Sequence, residues 1–73
     1  MELEDFLKDA LEPVREARPG QHFSNLLFAL QPRIYAALKI RGLDPYYRDD
    51  LLPAAVQATV DIWTGREIVG VDE

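Results

Sequence analysis

His22 and Ser24, the only histidine and the only serine, stand two positions apart and suggest a base and a nucleophile. Acyl transfer would need the imidazole to take the hydroxyl proton, and neighbours two apart at a helix start do not face each other. His22 therefore reads as a surface or helix-start residue. Asp49 and Asp50 are adjacent carboxylates that could act as an acid–base pair or hold a hard cation through oxygen. The same two residues suit a helix cap and a first-turn partner of the helix dipole, which is the preferred reading. Gly20 and Gly42 belong to no phosphate-binding loop. With one histidine and no cysteine, the usual four-ligand zinc site cannot be assembled. The chain is expected to be non-catalytic, with no catalytic, metal or cofactor-binding residue assigned.

Arg33, Lys39, Arg41 and Arg48 fall close to Tyr35, Tyr46 and Tyr47, a mixture that can track a phosphate backbone and stack bases. The charge layout argues otherwise. Residues 1–12 carry −4, residues 13–43 carry +4 and residues 44–73 carry −5, for a total of −5. Asp49 and Asp50 open the helix that would serve recognition, where they would repel phosphate. Nucleic-acid binding by the basic middle is thus an alternative, beside its opposite, an acidic inhibitor that imitates nucleic acid to block a host enzyme. The plainer reading of the pattern is an acidic first helix screened by the basic middle.

These side chains are positioned by helices. Leu3, Phe6, Leu7, Ala10, Leu11 and Val14 recur at three- and four-residue steps, with Glu2, Glu4, Asp5, Asp9 and Glu12 on the other side. Pro13 should kink this helix or end it near Glu12 with a restart beyond. Arg18-Pro19-Gly20 reads as a breaker, followed by a helix from about Gln21 to Gln31 that buries Phe23, Leu26, Leu27 and Leu30. Pro32 opens a third helix, Pro32 to Arg41, with Ile34, Tyr35, Ala37 and Leu38 inward and Gly42 as its left-handed stop.

The stretch Arg41 to Asp50 is the densest joint in the chain. Asp44 and Pro45 match the first positions of a type I turn, in which the carboxylate accepts from the backbone two residues on. Asp50 is expected to cap a fourth helix, placing Pro53 at its third position, with Leu52, Ala55, Val56, Thr59, Val60 and Trp63 on one face and Gly65 at its end. Trp63 should anchor the core. Of the tyrosine pair, Tyr47 is expected to cap the core and Tyr46 to face solvent.

Gly20-Gln21, Asn25 with Leu27 and Leu30, Pro32, Arg41-Gly42, Asp44-Pro45 with Tyr47, Asp49 and Trp63 together form a pattern over about forty residues. In that pattern the chain resembles small helical proteins of bacteriophages and prophages that carry an R-G-x-D-P-x-Y-x-D signature and have no assigned function. The resemblance implies a compact helical unit in a phage-like setting, and no activity, cofactor or catalytic residue. The acidic helix before the pattern and the aliphatic tail after it are additions.

One all-α domain is expected, a compact bundle of about four short helices over residues 1–65 with an extended or disordered tail over 66–73. A chain of 73 residues buries only about 60 to 65% of its unfolded surface, so a partner or a second copy would add needed stability. The acidic start and the lack of a long apolar run point to a cytoplasmic protein with no membrane contact, in the host cytoplasm if phage-encoded. The expected function is a protein–protein interaction module that binds a protein partner or forms a homo-oligomer. Its expected contact residues are Phe6, Leu7, Ala10 and Leu11 on the first helix, with Tyr46 and Arg48 in the joint.

Overall fold

In the computed structural model, which describes residues 2–65, the apolar stripe of the first segment forms α1 (Leu3–Ala10) and buries Phe6 and Ala10. Residues 66–73 lie outside the described part, and the expectation of an extended or disordered tail falls there. The helix ends earlier than Glu12. Proline at 13 pushes Glu12 out of helical angles, and in a continuing helix its ring would strike the Asp9 carbonyl. The Asp9 carbonyl instead accepts from Glu12 N at 3.4 Å, and the chain bends through to Arg18 without a second helix.

Arg18-Pro19-Gly20 turns out to be a helix start. Arg18 is extended, Pro19 occupies the first helical positions, and α2 runs Pro19–Leu30. Proline fits there because the first amides of a helix have no intrahelical acceptor. The buried face is Gly20, Phe23, Ser24 and Leu27, while Leu30 is exposed. Gln31 then leaves helical geometry at φ −140° and ψ 68°, and Pro32 opens α3 (Pro32–Ile40), as its sequence indicates.

Helix α3 buries Ile34, Ala37 and Leu38. Gly42, at φ +75°, lets Gly42 N reach the Lys39 carbonyl at 3.1 Å and Leu43 N reach the Leu38 carbonyl at 2.8 Å. This paired closure satisfies two of the carbonyls the helix end leaves open. A 3-10 turn, Asp49–Leu51, precedes α4 (Leu52–Trp63), so Asp50 is not the cap expected for that helix. Pro53 lies in the first turn of α4, where a missing amide costs no bond. Gly65, at φ +85°, closes the helix as expected.

All four helices meet in one core of Phe6, Ala10, Phe23, Leu27, Ile34, Ala37, Leu38, Ala55, Ala58 and Ile62. Helix α2 is the central element and touches α1, α3, α4 and the 3-10 turn. The protein is an all-α globule with no strand among the described residues, and none of its helices is long and apolar enough to cross a membrane. The inward face of α4 is Ala55, Ala58, Thr59 and Ile62, rotated from the expected one, so Trp63 sits half-buried at the margin. It still contacts the core, with its ring 5.2 Å from that of Phe6.

Thr59 is fully buried, and its hydroxyl has no hydrogen-bond partner among the described residues. An unpaired buried hydroxyl costs about 1–3 kcal/mol, and valine keeps the shape without it. Thr59→Val is therefore expected to stabilise the fold by about 1 kcal/mol, seen as a higher urea midpoint at unchanged slope.

Candidate functional site

The joint between α3 and α4 is fastened to α2 by two aspartates. Asp44 Oδ1 accepts from Tyr46 N at 3.0 Å and from Ser24 Oγ at 3.2 Å, and its Oδ2 accepts from the Tyr35 hydroxyl at 2.9 Å. The bond to Tyr46 N is the side-chain turn expected of an Asp-Pro step. The other two tie the loop to α2 and α3. Ser24 thus serves Asp44, while His22 Nε2 lies 2.9 Å from the Asp9 carbonyl, so each is turned to a different partner.

Asp49 supplies a cap that α2 lacks in its own sequence. Arg18, the residue before α2, offers no side-chain cap, and Gly20 N donates instead to Asp49 Oδ1 at 3.0 Å. A carboxylate at this end also suits the positive end of the helix dipole. Arg18 holds the arrangement from outside, donating to Asp49 Oδ1 at 3.2 Å and to the Tyr46 carbonyl at 2.7 Å. Underneath, Pro45 is fully buried, and a Cβ built on Gly20 would overlap the Pro45 carbonyl oxygen.

Asp50 makes a forked pair with Arg48, at 3.2 Å from Nε to Oδ1 and 2.7 Å from Nη2 to Oδ2. These hydrogen bonds hold the Asp50 carboxyl below its ordinary pKa and raise that of the Arg48 guanidinium. The pair is exposed, where such contacts add little stability. The two carboxylates of the Asp49–Asp50 step are thus turned to different cations, Asp49 to Arg18 and Asp50 to Arg48. Among the described residues no cluster of three or more metal-ligating side chains occurs.

The expected contact residues separate. Phe6 and Ala10, assigned from the sequence to a partner, are closed over by the chain's own core, with Phe6 edge-on to Phe23 at 5.6 Å. Leu7 is half-buried and Leu11 exposed, so the α1 face is mostly spent inside the molecule. The tyrosine pair is reversed. Tyr46 is half-buried, its hydroxyl accepting from Gln21 Nε2 at 3.3 Å, whereas Tyr47 is 80% exposed. The core position expected for a tyrosine ring is taken by Pro45.

A different surface emerges around Asp44. Phe28, 60% exposed, meets the edge of Tyr35 at 5.6 Å, and Tyr46 meets Tyr47 at 4.7 Å. Both pairs are anchored by one member's bond to the same carboxylate. Lys39 Nζ lies 6.0 Å from the Tyr35 ring centre and adds a cation to one end. Phe28 escaped sequence reading because it falls just off the apolar stripe of α2. Its only sequence signal is an aromatic partner seven positions on, beyond Pro32.

Burial, and then the hydrogen bond to the Asp44 carboxylate, push the Tyr35 phenol up to about 12. The neutral phenol is thus favoured in the folded state. Its contribution is complete below the ordinary tyrosine pKa near 10 and declines as pH rises towards about 12. Phenolate absorbance is expected to show one tyrosine titrating near 12 in the folded protein, with urea stability falling across that interval. Replacement by phenylalanine should remove this late step.

The geometry defines a class: a small all-α protein that carries exposed aromatic rings beside a loop held by hydrogen bonds to Asp44. No protein-family model, curated protein or solved structure matches the chain.

Proposed function

We propose that the protein is a non-catalytic protein-binding module of phage type, acting in the cytoplasm by docking its aromatic surface on a protein partner or on a second copy. The observation that carries this reading is the exposure of Phe28 and Tyr47 on elements that Asp44 fixes from beneath. Exposed rings held in place lose little freedom on binding, and tyrosine is among the residues that dominate binding hot spots. This surface replaces the α1 face favoured by sequence, while Tyr46 and Arg48 remain beside it.

The test is the double variant Phe28→Asp, Tyr47→Asp, with circular dichroism confirming intact helices. Light scattering after size exclusion should show the wild type as an assembly and the variant as a monomer. If the wild type is itself monomeric, a host protein captured by the wild type and not by the variant supports the partner form. Identical capture by both rejects the surface.

A second reading, inhibition by nucleic-acid mimicry, draws on Glu2, Glu4, Asp5, Asp9 and Glu12, which all lie exposed on and beside α1. It requires charge-dependent binding to a nucleic-acid enzyme that added duplex DNA displaces. Binding insensitive to DNA and to salt would remove it.

A further inference from the structure

Phe28 and Tyr47 stand exposed at the two ends of one chain of contacts, Phe28 to Tyr35, Tyr35 and Tyr46 to Asp44, and Tyr46 to Tyr47. The Tyr35 phenol, pushed up first by burial and then by Asp44, is pushed further by the phenols of Tyr46 and Tyr47, so all three hydroxyls share one neighbourhood. Hydrogen bonding there is one-sided. Acceptors are spent inside: Asp44 takes three donors, and the Tyr46 oxygen accepts from Gln21 Nε2. Donors are left over. Tyr46 keeps its own proton to give, and among the described residues nothing bonds to the Tyr47 hydroxyl or to the exposed Asn25 amide, about one helical turn before Phe28. Lys39 Nζ, 6.0 Å from the Tyr35 ring centre, adds a positive charge that pairs with no carboxylate among the described residues. The chain carries −5 overall, yet the polar points of this surface are donors and a cation.

Such a surface suits a ligand that is rich in acceptors, poor in donors and able to cover aromatic rings. An extended strand brings an N–H for every carbonyl, and a helix bonds its own carbonyls except in the last turn. A polyproline II segment differs from both. It has no internal hydrogen bonds, its prolines carry no N–H, and it docks on aromatic-lined sites as a preformed rod of low entropy. We propose that the aromatic surface takes a proline-rich segment of a protein partner, with its rings on Phe28 and Tyr47, its carbonyls on the Tyr46 and Tyr47 hydroxyls and the Asn25 amide, and an acidic residue beside Lys39. The assignment rests on the docking reading above and gives its partner a chemistry.

The probe is a peptide of about ten prolines, roughly three turns of that helix, ending in aspartate. In amide NMR titrations of the full chain it is expected to shift Asn25, Phe28 and Tyr47 saturably. Phe28→Ala and Tyr47→Ala should each weaken binding about tenfold at unchanged circular dichroism. Lys39→Glu should reverse the preference between this peptide and one ending in lysine. No saturable shift at about 1 mM peptide overturns the proposal. So does an equal response to a glycine–serine peptide with the same acidic end, or a preference that Lys39→Glu leaves unchanged. Where Phe28→Asp with Tyr47→Asp abolishes assembly or capture while the proline peptide is ignored, the docking surface stands and its proline ligand is rejected. Where those substitutions change nothing and the peptide is ignored, both are rejected.

Discussion

Phe6→Ala is expected to remove a large share of the protein's folding stability. The side chain is fully buried and lies against the rings of Phe23 and Trp63, so its loss opens a cavity where α1, α2 and α4 meet. Truncating a buried phenylalanine costs about 3–5 kcal/mol. A domain of this length holds only roughly 4–11 kcal/mol in total, at about 0.05–0.15 kcal/mol per residue. The variant should show a much lower urea midpoint at unchanged slope. A loss below about 1 kcal/mol would place Phe6 outside the core and return it to the partner-facing role its sequence position suggests. The same experiment separates the two surfaces, because Phe28→Asp is expected to leave helicity intact.

Gly20→Ala carries the second large effect, and its sign opposes the usual one. Inside a helix this replacement ordinarily gains about 1 kcal/mol. Here the new methyl would overlap the Pro45 carbonyl oxygen and stand 2.8 Å from Asp49 Oδ1. The carbonyl is backbone and Pro45 is buried, so relief means moving the joint away from α2. That adds overpacking strain of about 1–3 kcal/mol and endangers a charge-assisted bond worth about 1.5–3 kcal/mol. A net loss of about 2–4 kcal/mol is expected by urea denaturation. Combining Gly20→Ala with Asp49→Ala should cost less than the sum of the two, since both break one contact. Strict additivity would mean that Gly20 and Asp49 act separately.

How much of this was legible depends on where each residue finds its partner. Gly42 and Gly65 were readable as helix stops, and Gln31-Pro32 as a break, because left-handed glycine and the proline ring act within a few residues. Asp44 was legible as a turn residue for the same reason, through its bond to Tyr46 N. Asp49 and Asp50 were not. Locally they suit a cap for α4, but Asp49 serves α2, 29 positions away from Gly20, and Asp50 serves Arg48. Arg18-Pro19-Gly20 misled in the same way, since a helix can start there once the cap comes from elsewhere. Tyr46 and Tyr47 are equivalent in sequence, and only the placement of Pro45 and Gln21 decides between them. The phase of α4 was read only in part: Ala55 and Thr59 face inward as expected, but the small Ala58 completes the buried face with Ile62 where the larger Val56, Val60 and Trp63 were expected.

The cap that Asp49 lends to α2 also constrains how such a sequence can change over time. Gly20 has little advantage in a helix except beneath Pro45, and Asp49 has no remote amide to serve unless that approach is kept. Lineages of this fold should therefore gain or lose the glycine, the proline and the second aspartate as a group. A change at any one of the three would open the way for substitutions at the other two.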